Sequence, residues 1–405
     1  MKHKLGEIFD LQMGKTPDRH SPKFWNEGTE PWISIADLTK CNKYIKNTAE
    51  KITTTAVEES GIKIIPKNTV IMSFKLSIGK VAITPKEMYS NEAIMAFIDK
   101  GVLRIEPVYL YYLLMHKDWD SGTNKAVMGK TLNKATLSQM SVNIHEHSEQ
   151  LEIIKVLDAA SSLIEARKLQ LAELDNLIKA RFVEMFGDLA NPACNWLQIK
   201  LADACEDPDD IKCGPFGTQL SKDEYGDSGV AVWEIPQINS HFATKPTHYL
   251  TEEKAKQLDA YSLKPGDIAM SRKGNVGKCA IFPARFEVGI IHSDVLRIRV
   301  DDGRVSPVFM MHQLHYSGAV QHQIELVSSG AIMAGINVTK LKQIFVHIPP
   351  LELQTQFAAF VEQVDKSKVV EAIYKIRTFF NITLNGGNRY DIRANEFKTD
   401  ESAGS

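Results

Sequence analysis

The sequence predicts an α+β protein in which two similar globular α/β domains are separated by two long helices packed as an antiparallel coiled coil. This prediction depends on a duplicated motif, on a heptad pattern that follows each copy, and on composition. The chain has 405 residues, of which 43% are hydrophobic and 24% are charged, as is typical of a folded globular protein. The length allows two domains of ordinary size, each with its own hydrophobic core.

The duplication is clearest in one short segment. Residues 72–83 read MSFKLSIGKVAI, and residues 270–281 read MSRKGNVGKCAI. Farther along each half, Asn133 recurs as Asn337. The spacing stays close to about 200 residues throughout, which predicts two copies of one globular unit.

A long helix is predicted after each globular unit, because apolar residues recur there at the heptad spacing of a coiled-coil seam. The seam of the first helix contains Leu157, Ile164, Leu171 and Ile178, and that of the second contains Phe357, Val364 and Ile373. A single long amphipathic helix cannot bury its own apolar stripe. The two helices are therefore expected to pack against each other, and a helix of this length spans roughly 57 Å.

The order along the chain is globule, helix, globule, helix and tail. The predicted boundaries are 1–146 for the first domain, 147–187 for the central helix, 188–349 for the second domain, 350–382 for the C-terminal helix and 383–405 for a flexible tail.

Charge and cysteine content exclude several classes of protein. The formal net charge of −2 argues against a chain coated in basic residues, so any nucleic-acid surface must be local. The chain has no apolar run of signal-peptide or membrane-spanning length, and we expect a cytoplasmic protein without a membrane partner. The five cysteines form no Cys-x-x-Cys pair and the histidines show no zinc-site spacing, so neither a metal nor a cofactor is expected.

Several motifs resemble those of one family. Residues 14–17 (GKTP) and 214–220 (GPFGTQL) resemble the openings of two kinds of target-recognition domain. Residues 348–351 (IPPL) are similar to the entry of a spacer helix, and residues 177–187 are similar to its exit. On these motifs the chain resembles the specificity subunits of type I restriction-modification enzymes over about residues 3–380.

The resemblance implies a DNA-binding chain without a catalytic site. It implies recognition of a bipartite site on double-stranded DNA, with one half-site for each domain. It also implies that two copies of an adenine methyltransferase subunit grip the paired helices and that restriction subunits can join. The chain departs from the family pattern at residues 145–147 (HEH), where prolines are usual, and its second helix lacks a closing Phe-x-x-x-Phe-Gly signature.

The duplication helps to separate residues that grip DNA from residues that read it. A position identical in both domains can hold the fold or contact phosphate, but it cannot distinguish two different half-sites. Lys75 with Lys273, and Lys80 with Lys278, are such shared cations and are predicted to contact phosphate.

Positions that differ between the domains can read bases. In the repeated segment these are Phe74 and Arg272, Leu76 and Gly274, and Ser77 and Asn275. Arginine or lysine can make a bidentate contact with guanine, and asparagine can make one with adenine. Arg272 or Lys273 is therefore a candidate for a guanine contact, and Asn275 for an adenine contact. The other interpretation is that the segment is simply a strand, a glycine turn and another strand.

Further candidates lie in the opening motifs and at the ends of predicted strands. Arg297 alternates with apolar residues, so it is expected to face outward, either in a basic patch or on a solvated sheet face. Lys130 and Asn133 lie where either a DNA-backbone contact or a helix entry is expected. The complete set of predicted DNA-contacting residues is Lys15, Thr16, Phe74, Lys75, Ser77, Lys80, Asn91, Lys130, Asn133, Gln219, Arg272, Lys273, Asn275, Lys278, Arg297 and Asn337.

Motifs of competing enzyme classes are incomplete. Residues 191–194 (NPAC) lack the second proline and the aromatic ring of an adenine methyltransferase loop. The segment before Lys130 lacks the glycine that a phosphate-binding loop requires. Asp207, Asp209 and Asp210 suggest a metal-dependent nuclease, although such a loop is usually solvated. Two alternatives stay open: a nuclease with an unrecognised site, and a coiled-coil scaffold whose globules bind protein.

Overall fold

A computed structural model shows the chain divided into two units, Met1–Ala166 and Arg167–Ser405. The described residues are 1–75, 77–117, 119, 132–187, 189, 195–328 and 335–385, and the side chains of Thr218 and of residues 369–385 are not among them. Most of the predicted tail, from residue 386 onward, lies outside the described residues. Among the described residues, no helix combines the length and the apolar character needed to cross a membrane.

The first half of the chain leads into one very long helix. Its strands are β1 Lys2–Lys4, β2 Phe9–Met13, β3 Glu30–Ile33, β4 Glu50–Ile52, β5 Val70–Ser73, β6 Val81–Ile83, β7 Tyr89–Ser90, β8 Ile94–Asp99 and β9 Ser141–Asn143. Its helices are α1 Leu5–Ile8, α2 Pro22–Trp25, α3 Ile35–Lys40, α4 Thr54–Ser60, α5 Pro107–Met115, α6 Lys134–Gln139 and the long α7 His147–Phe186.

The second half has the same plan. Its strands are β10 Leu197–Lys200, β11 Ile211–Cys213, β12 Val230–Trp233, β13 His248–Leu250, β14 Ser262–Leu263, β15 Ile268–Ser271, β16 Cys279–Ile281, β17 Gly289–Ile291, β18 Val295–Ile298 and β19 Phe345–Ile348. Its helices are α8 Ile235–Asn239, α9 Glu252–Gln257, α10 Pro307–Tyr316, α11 Gly318–Ser328, α12 Val338–Leu341 and the long α13 Leu351–Asn385. Short 3-10 turns lie at Leu201–Ala204, Pro208–Asp210, Gly217–Gln219, Lys222–Glu224 and Asp259–Tyr261.

Within the described residues, the sheets of the two halves correspond strand by strand, except that the second half has one additional edge strand, β14. The first half has the orders β2-β8-β5-β6, β4-β3-β7 and β1-β9, and the second has β11-β18-β15-β16, β13-β12-β17-β14 and β10-β19. In both halves one pair is parallel, β3 with β7 and β12 with β17. Equivalent strands therefore have equivalent neighbours, and the predicted pair of similar α/β domains is confirmed.

The repeated sequence segment forms the same hairpin in both domains. Strands β5 and β15 are buried along their whole length, and β6 and β16 return antiparallel to them. The chain turns at Gly79 and Gly277, whose φ angles of 86° and 81° lie in the left-handed region that favours glycine. Their N–H groups donate to the carbonyls of Ser73 and Ser271, each at 3.0 Å. The repeat in sequence is therefore the repeat of one glycine turn.

The prediction that Arg297 faces outward was wrong. Its side chain is buried, with 4% of its surface exposed, and it donates to the carbonyls of Ser262 at 2.9 Å and Ala260 at 3.3 Å. The carboxylate of Asp210 lies 3.6 Å away. At the equivalent position of the first domain, Ala96 belongs to an apolar core cluster. Strand alternation shows which residues share a face, but polar partners from distant segments allow that face to be buried.

The long helices α7 and α13 pack against each other in the second unit. The ring centroids of Phe182 and Phe357 are 5.5 Å apart, and Lys368 Nζ lies 2.8 Å from Asp175 Oδ1. From the first contact to the second, the residue number falls in α7 and rises in α13. The helices therefore run antiparallel, as predicted. Phe309 of α10 packs into the same cluster, so the helix pair and the second domain share a core.

The predicted seam residues have different environments. Three of them are buried in the cluster that joins the helices, namely Ile178, Phe357 and Val364. Leu157 packs instead against the core of the first domain, and Leu171 is half-buried. Ile164 has 56% of its surface exposed, and the side chain of Ile373 lies outside the described residues. The buried three are therefore unavailable to a partner protein, whereas Ile164 is accessible.

Helix α10 carries two histidines into the interior of the second domain. His315 Nε2 accepts a hydrogen bond from the backbone N–H of Cys279 at 3.1 Å, and His312 Nδ1 lies 2.7 Å from the carbonyl oxygen of Val308. Burial lowers the pKa of His315 to about 4 and also lowers the pKa of His312. Both imidazoles are therefore neutral at neutral pH.

Replacing Phe182 with alanine is expected to reduce the free energy of unfolding by about 3–5 kcal/mol, because its buried ring contacts four other aromatic rings. Leu169→Ala is the matched control on the same helix, since Leu169 has 69% of its surface exposed. We expect that control to change stability by less than about 0.5 kcal/mol. Chemical denaturation followed by circular dichroism measures both, and equal losses would contradict a structural role for the aromatic cluster.

Acid is expected to destabilise the second domain through His315. The pKa of His315 in the folded protein lies below its ordinary value of 6.5, so its contribution to stability is present above pH 6.5 and is lost as the pH falls toward 4. His315→Gln keeps an acceptor for Cys279 but does not titrate. Between about pH 7.5 and pH 5, we expect the free energy of unfolding of this variant to fall by about 2 kcal/mol less than that of the parent protein. Identical acid-induced shifts in Tm for the two proteins would refute the assignment.

Candidate nucleic-acid interface

Three loops of the first domain meet and form what we call the first loop cluster. They are the loop after β2 (residues 14–21), the β5–β6 turn (residues 74–75 and 77–80) and the β7–β8 turn (residues 91–93). Backbone hydrogen bonds join them, from the Lys15 N–H to the Ser90 carbonyl at 2.8 Å and from the Phe74 N–H to the Ala93 carbonyl at 3.0 Å. The arrangement therefore does not depend on particular side chains.

The second domain has an equivalent group of loops, the second loop cluster. They are the loop after β11 (residues 214–226), the β15–β16 turn (residues 272–278) and the β17–β18 turn (residues 292–294). The Arg272 N–H donates to the Asp294 carbonyl at 2.9 Å, as Phe74 does to Ala93 in the first domain. Both clusters begin at a glycine that has no room for a side chain. A Cβ on Gly214 would lie 2.3 Å from the carbonyl oxygen of His292, and a Cβ on Gly14 would lie 2.2 Å from that of Asn91.

The first loop cluster is organised around Glu92. The Thr16 hydroxyl donates to the Glu92 carboxylate, and this hydrogen bond lowers the pKa of Glu92, which the nearby cations Lys75 and Arg19 lower further. Lys75 Nζ also lies 5.3 Å from the centroid of the Phe74 ring. The remaining predicted side chains of this cluster with large exposed surface are Lys15, Ser77 and Lys80. Lys15 Nζ donates to the carbonyl of Ser60, and Asn91 Oδ1 accepts from the Ala93 N–H at 3.1 Å.

The second loop cluster is organised around Arg272. Its Nε donates to the carbonyl of Ile336 at 3.0 Å, and its Cζ lies 4.9 Å from the centroid of the half-exposed Phe216 ring. Gln219 Oε1 accepts a hydrogen bond from the Tyr261 hydroxyl at 3.0 Å. An arginine on an exposed aromatic ring therefore occupies the position at which the first domain has a buried phenylalanine.

The two lysines of the β15–β16 turn already have partners within the chain. Lys273 Nζ lies 2.7 Å from Asp294 Oδ1, and Lys278 Nζ donates to the carbonyl of Asn239 at 3.0 Å. Asn275 is exposed at the tip of the turn.

A protein-family model now accounts for the duplication. The model of the type I restriction modification DNA specificity domain matches residues 1–176 and matches again over residues 196–375. The chain belongs to this family. It is a type I restriction-modification specificity subunit with two specificity domains.

Curated relatives and solved structures are similar in the same way. The type I restriction enzyme MjaIX specificity subunit of Methanocaldococcus jannaschii is 30% identical over 189 residues, which cover 46% of this chain and 43% of the relative. The EcoR124I/EcoR124II specificity subunit of Escherichia coli is 26% identical over 165 residues, 39% of this chain and 40% of the relative. The matched segments thus span less than half the length of these relatives.

The likeness to solved structures extends over nearly the whole chain. The S subunit of a type I restriction-modification system from M. genitalium superposes with a TM-score of 0.51 at 14% identity, covering 94% of this chain and 93% of that chain. A chain of another type I system, solved to describe complex assembly and conformational transition, gives a TM-score of 0.50 at 16% identity. The match covers 95% of this chain and 94% of that chain. At such identities the likeness concerns the fold alone.

Several residues predicted to contact DNA have structural roles in this specificity subunit. Phe74 was predicted wrongly as a base contact, because its ring is 1% exposed and belongs to the core of the first domain. Asn133 and Asn337 begin α6 and α12, where their side chains accept hydrogen bonds from the Thr136 and Lys340 N–H groups at 2.8 and 3.0 Å. For Asn133 this role matches the helix-entry alternative, and for Asn337 it is a finding of the structure. Lys130 lies outside the described residues.

Some aromatic and cationic residues of the loop clusters were missed by sequence reasoning. Phe216 lies against Arg272, Tyr261 donates to Gln219, and Arg19 lies over the ring of Trp25. The available signal for Phe216 was its position between Pro215 and Gly217, because proline and glycine mark loops and loops lie on the surface. The contacts of Tyr261 and Arg19 depend on residues far away in sequence.

The acidic loop that suggested a nuclease is neutralised by cations of the same chain. Asp209 pairs with Lys342 at 3.1 Å, and Asp210 lies 3.6 Å from both Arg297 and Arg299. Among the described residues, no group of three or more metal-binding side chains is placed to hold a metal ion.

Gly214→Ala is expected to reduce the free energy of unfolding by more than about 1 kcal/mol, because the new Cβ would collide with the His292 carbonyl. Gly318→Ala is the control: a Cβ there meets nothing within 4 Å, and it begins helix α11. That change should stabilise the protein slightly or leave it unaltered. Thermal unfolding of both variants measures the difference, and a fully stable Gly214→Ala protein would show that the close approach is not required.

Proposed function

We propose that this specificity subunit reads a bipartite site on double-stranded DNA, with each loop cluster contacting one half-site. The observation that carries the proposal is that the two clusters share their backbone hydrogen bonds but carry different side chains at equivalent positions. Contacts common to both domains position a protein on DNA, whereas side chains that differ read the bases. Because the net charge of the chain is −2, attraction to phosphate must come from local cations.

Arg272 is the proposed base contact of the second domain. The hydrogen bond to Ile336 and the ring of Phe216 restrict its guanidinium group. A restricted arginine loses less conformational freedom when it makes a bidentate contact with guanine. Asn275, exposed in the same turn, offers the amide that pairs with adenine.

Lys75 and Lys80 are the proposed phosphate contacts of the first domain. Lys80 is exposed and makes no ion pair within the described part of the chain. Lys273 and Lys278 are proposed to contribute less to phosphate binding, since Lys273 pairs with Asp294 and Lys278 donates to a backbone carbonyl. Phosphate contact and base contact are thus divided unequally between the two domains.

We also propose that the chain is non-catalytic and acts in the cytoplasm with two adenine methyltransferase subunits and with restriction subunits. The support is membership of the specificity-subunit family, together with exposed apolar side chains on α7 that are available to contact a partner protein. These are Ile164, Leu169 and Leu177, with 56%, 69% and 48% of their surfaces exposed. The domain boundaries stay as proposed from sequence, with the spacer helices beginning at residues 147 and 350.

Reconstitution with an adenine methyltransferase subunit tests the function directly. We expect salt-sensitive binding to a two-part DNA sequence and methylation by the complex but not by this chain alone. A methylome of cells that express the complex identifies the sequence. DNA cleavage by the isolated chain would favour a nuclease, and partner binding without any DNA binding would favour a scaffold.

Arg272→Ala is expected to relax sequence preference in one half-site, by about tenfold or more at one base pair, and to leave the other half-site unchanged. Lys80→Ala is the matched comparison. Loss of a phosphate contact should weaken binding evenly across sequences and reduce the slope of log affinity against log salt by about one. Binding to libraries of randomised duplexes measures both effects. A uniform loss of affinity in Arg272→Ala would contradict its assignment as a base contact.

A further inference from the structure

Arg19 is held in an unusual environment in the first loop cluster. Its Cζ lies 4.0 Å from the centroid of the Trp25 ring and 4.6 Å from that of Trp32. Its Nη1 and Nη2 both donate to the carboxylate of Glu50, the second at 3.1 Å. Even so, 44% of the side-chain surface is exposed. The guanidinium group is thus fixed in orientation while one part of it remains accessible.

The hydrogen bonds leave a specific edge of the guanidinium group available. Glu50 occupies the end that lies between the two Nη atoms. The other pair of parallel donors, Nε–H and the adjacent Nη–H, makes no hydrogen bond to any described residue. Two parallel N–H groups match the O6 and N7 acceptors that guanine exposes in the major groove. A carboxylate on one edge therefore braces the arginine for an acceptor pair on the other.

Arg19 belongs to the same surface as the other candidate DNA contacts. It lies in the loop that begins at Gly14, and its charge acts on Glu92 together with that of Lys75. Glu92 in turn accepts a hydrogen bond from Thr16 of the same loop. The guanidinium group also lies over Trp32, whose Nε1 donates to the carbonyl of Lys15 at 3.1 Å and whose strand pairs with β7, the strand that leads into the β7–β8 turn.

The second domain has a different chemistry at the equivalent positions. Gln219 follows Gly214 at the same distance at which Arg19 follows Gly14. On the neighbouring strand, His248 pairs with Val232 as Glu50 pairs with Trp32, and the His248 ring lies 4.7 Å from that of Tyr225. A group needed for the fold would be expected in both domains. A residue that distinguishes two half-sites is expected to differ between the two domains at equivalent positions, as Arg19 does.

We propose that Arg19, stacked on Trp25 and braced by Glu50, reads a guanine in the half-site contacted by the first domain. This inference rests on the proposed DNA-reading function and names a specificity-determining residue of the first domain that the sequence analysis did not predict. Trp25 and Glu50 are positioning residues, because they act through the orientation of Arg19.

The test compares Arg19→Lys and Arg19→Ala with the parent chain, each assembled with the methyltransferase subunit and each bound to duplexes with randomised half-sites. Lysine keeps the positive charge but cannot make the bidentate contact. We expect both variants to lose about tenfold or more discrimination at a single G·C pair, in the half-site that Arg272→Ala leaves intact. Lys23→Ala is the matched control, since Lys23 also pairs with a glutamate and lies 5.0 Å from an aromatic ring. The Lys23→Ala complex should select the same DNA sequence as the parent complex.

The outcomes separate this inference from the proposed function. If the parent complex shows no sequence preference, the DNA-reading function and the role of Arg19 both fail. If the parent complex selects a bipartite motif and Arg19→Lys selects the same motif with unchanged weights, Arg19 is a phosphate or structural contact and the inference alone fails. Tryptophan fluorescence and Tm of each variant show whether the fold around Trp25 and Trp32 is kept. Arg19→Lys supplies the decisive result if Arg19→Ala does not fold.

Discussion

Backbone hydrogen bonds hold the candidate reading loops in place, and the rest of the site depends on this. The N–H of residue 74 in one domain and of residue 272 in the other bonds to the carbonyl of the neighbouring turn. Glycines at 79 and 277 allow the same reversal of the chain. Because no side chain is needed for these contacts, the turns can carry phenylalanine in one domain and arginine in the other without a change of backbone. A single scaffold thereby supports two different surfaces.

The aromatic cluster in the second unit joins the two long helices to the second domain. Phe182 and Phe357 join the two long helices, and Phe309 ties the second domain to them. Buried rings in edge-to-face contact contribute strongly to packing, since they combine large apolar area with favourable ring geometry. Heptad residues of the two long helices that the sequence presents as one seam therefore include residues that hold the second unit together, whereas Ile164 and Leu169 of α7 stay exposed.

Charge in this chain is largely balanced over short distances. Lys273 pairs with Asp294, and the partly buried Arg299 makes a two-pronged ion pair with the buried Asp267 at 2.7 Å. In the first domain, the apolar Ile98 and the uncharged Thr69 take the places of Arg299 and Asp267. Buried ion pairs are weak evidence for stability but strongly constrain how a core packs. The net charge of the chain is consequently a poor guide to its binding surface, whereas exposed cations without a partner are a better one.

The sequence by itself determined the duplication, the two long helices and the family, because repeats and heptads are patterns of residues near one another along the chain. It also located the glycine turn in each domain. Only the tertiary structure decided which side chains of those turns are exposed. Phe74 is buried by the core of its domain, while Arg272 is held by the carbonyl of Ile336, far along the chain. The same holds for Arg297. Its alternation with apolar residues predicts an exposed side chain, but the side chain is buried and donates to the carbonyls of Ala260 and Ser262. The physical reason is that the solvation of a side chain depends on groups brought near it by folding, and sequence patterns do not contain that information.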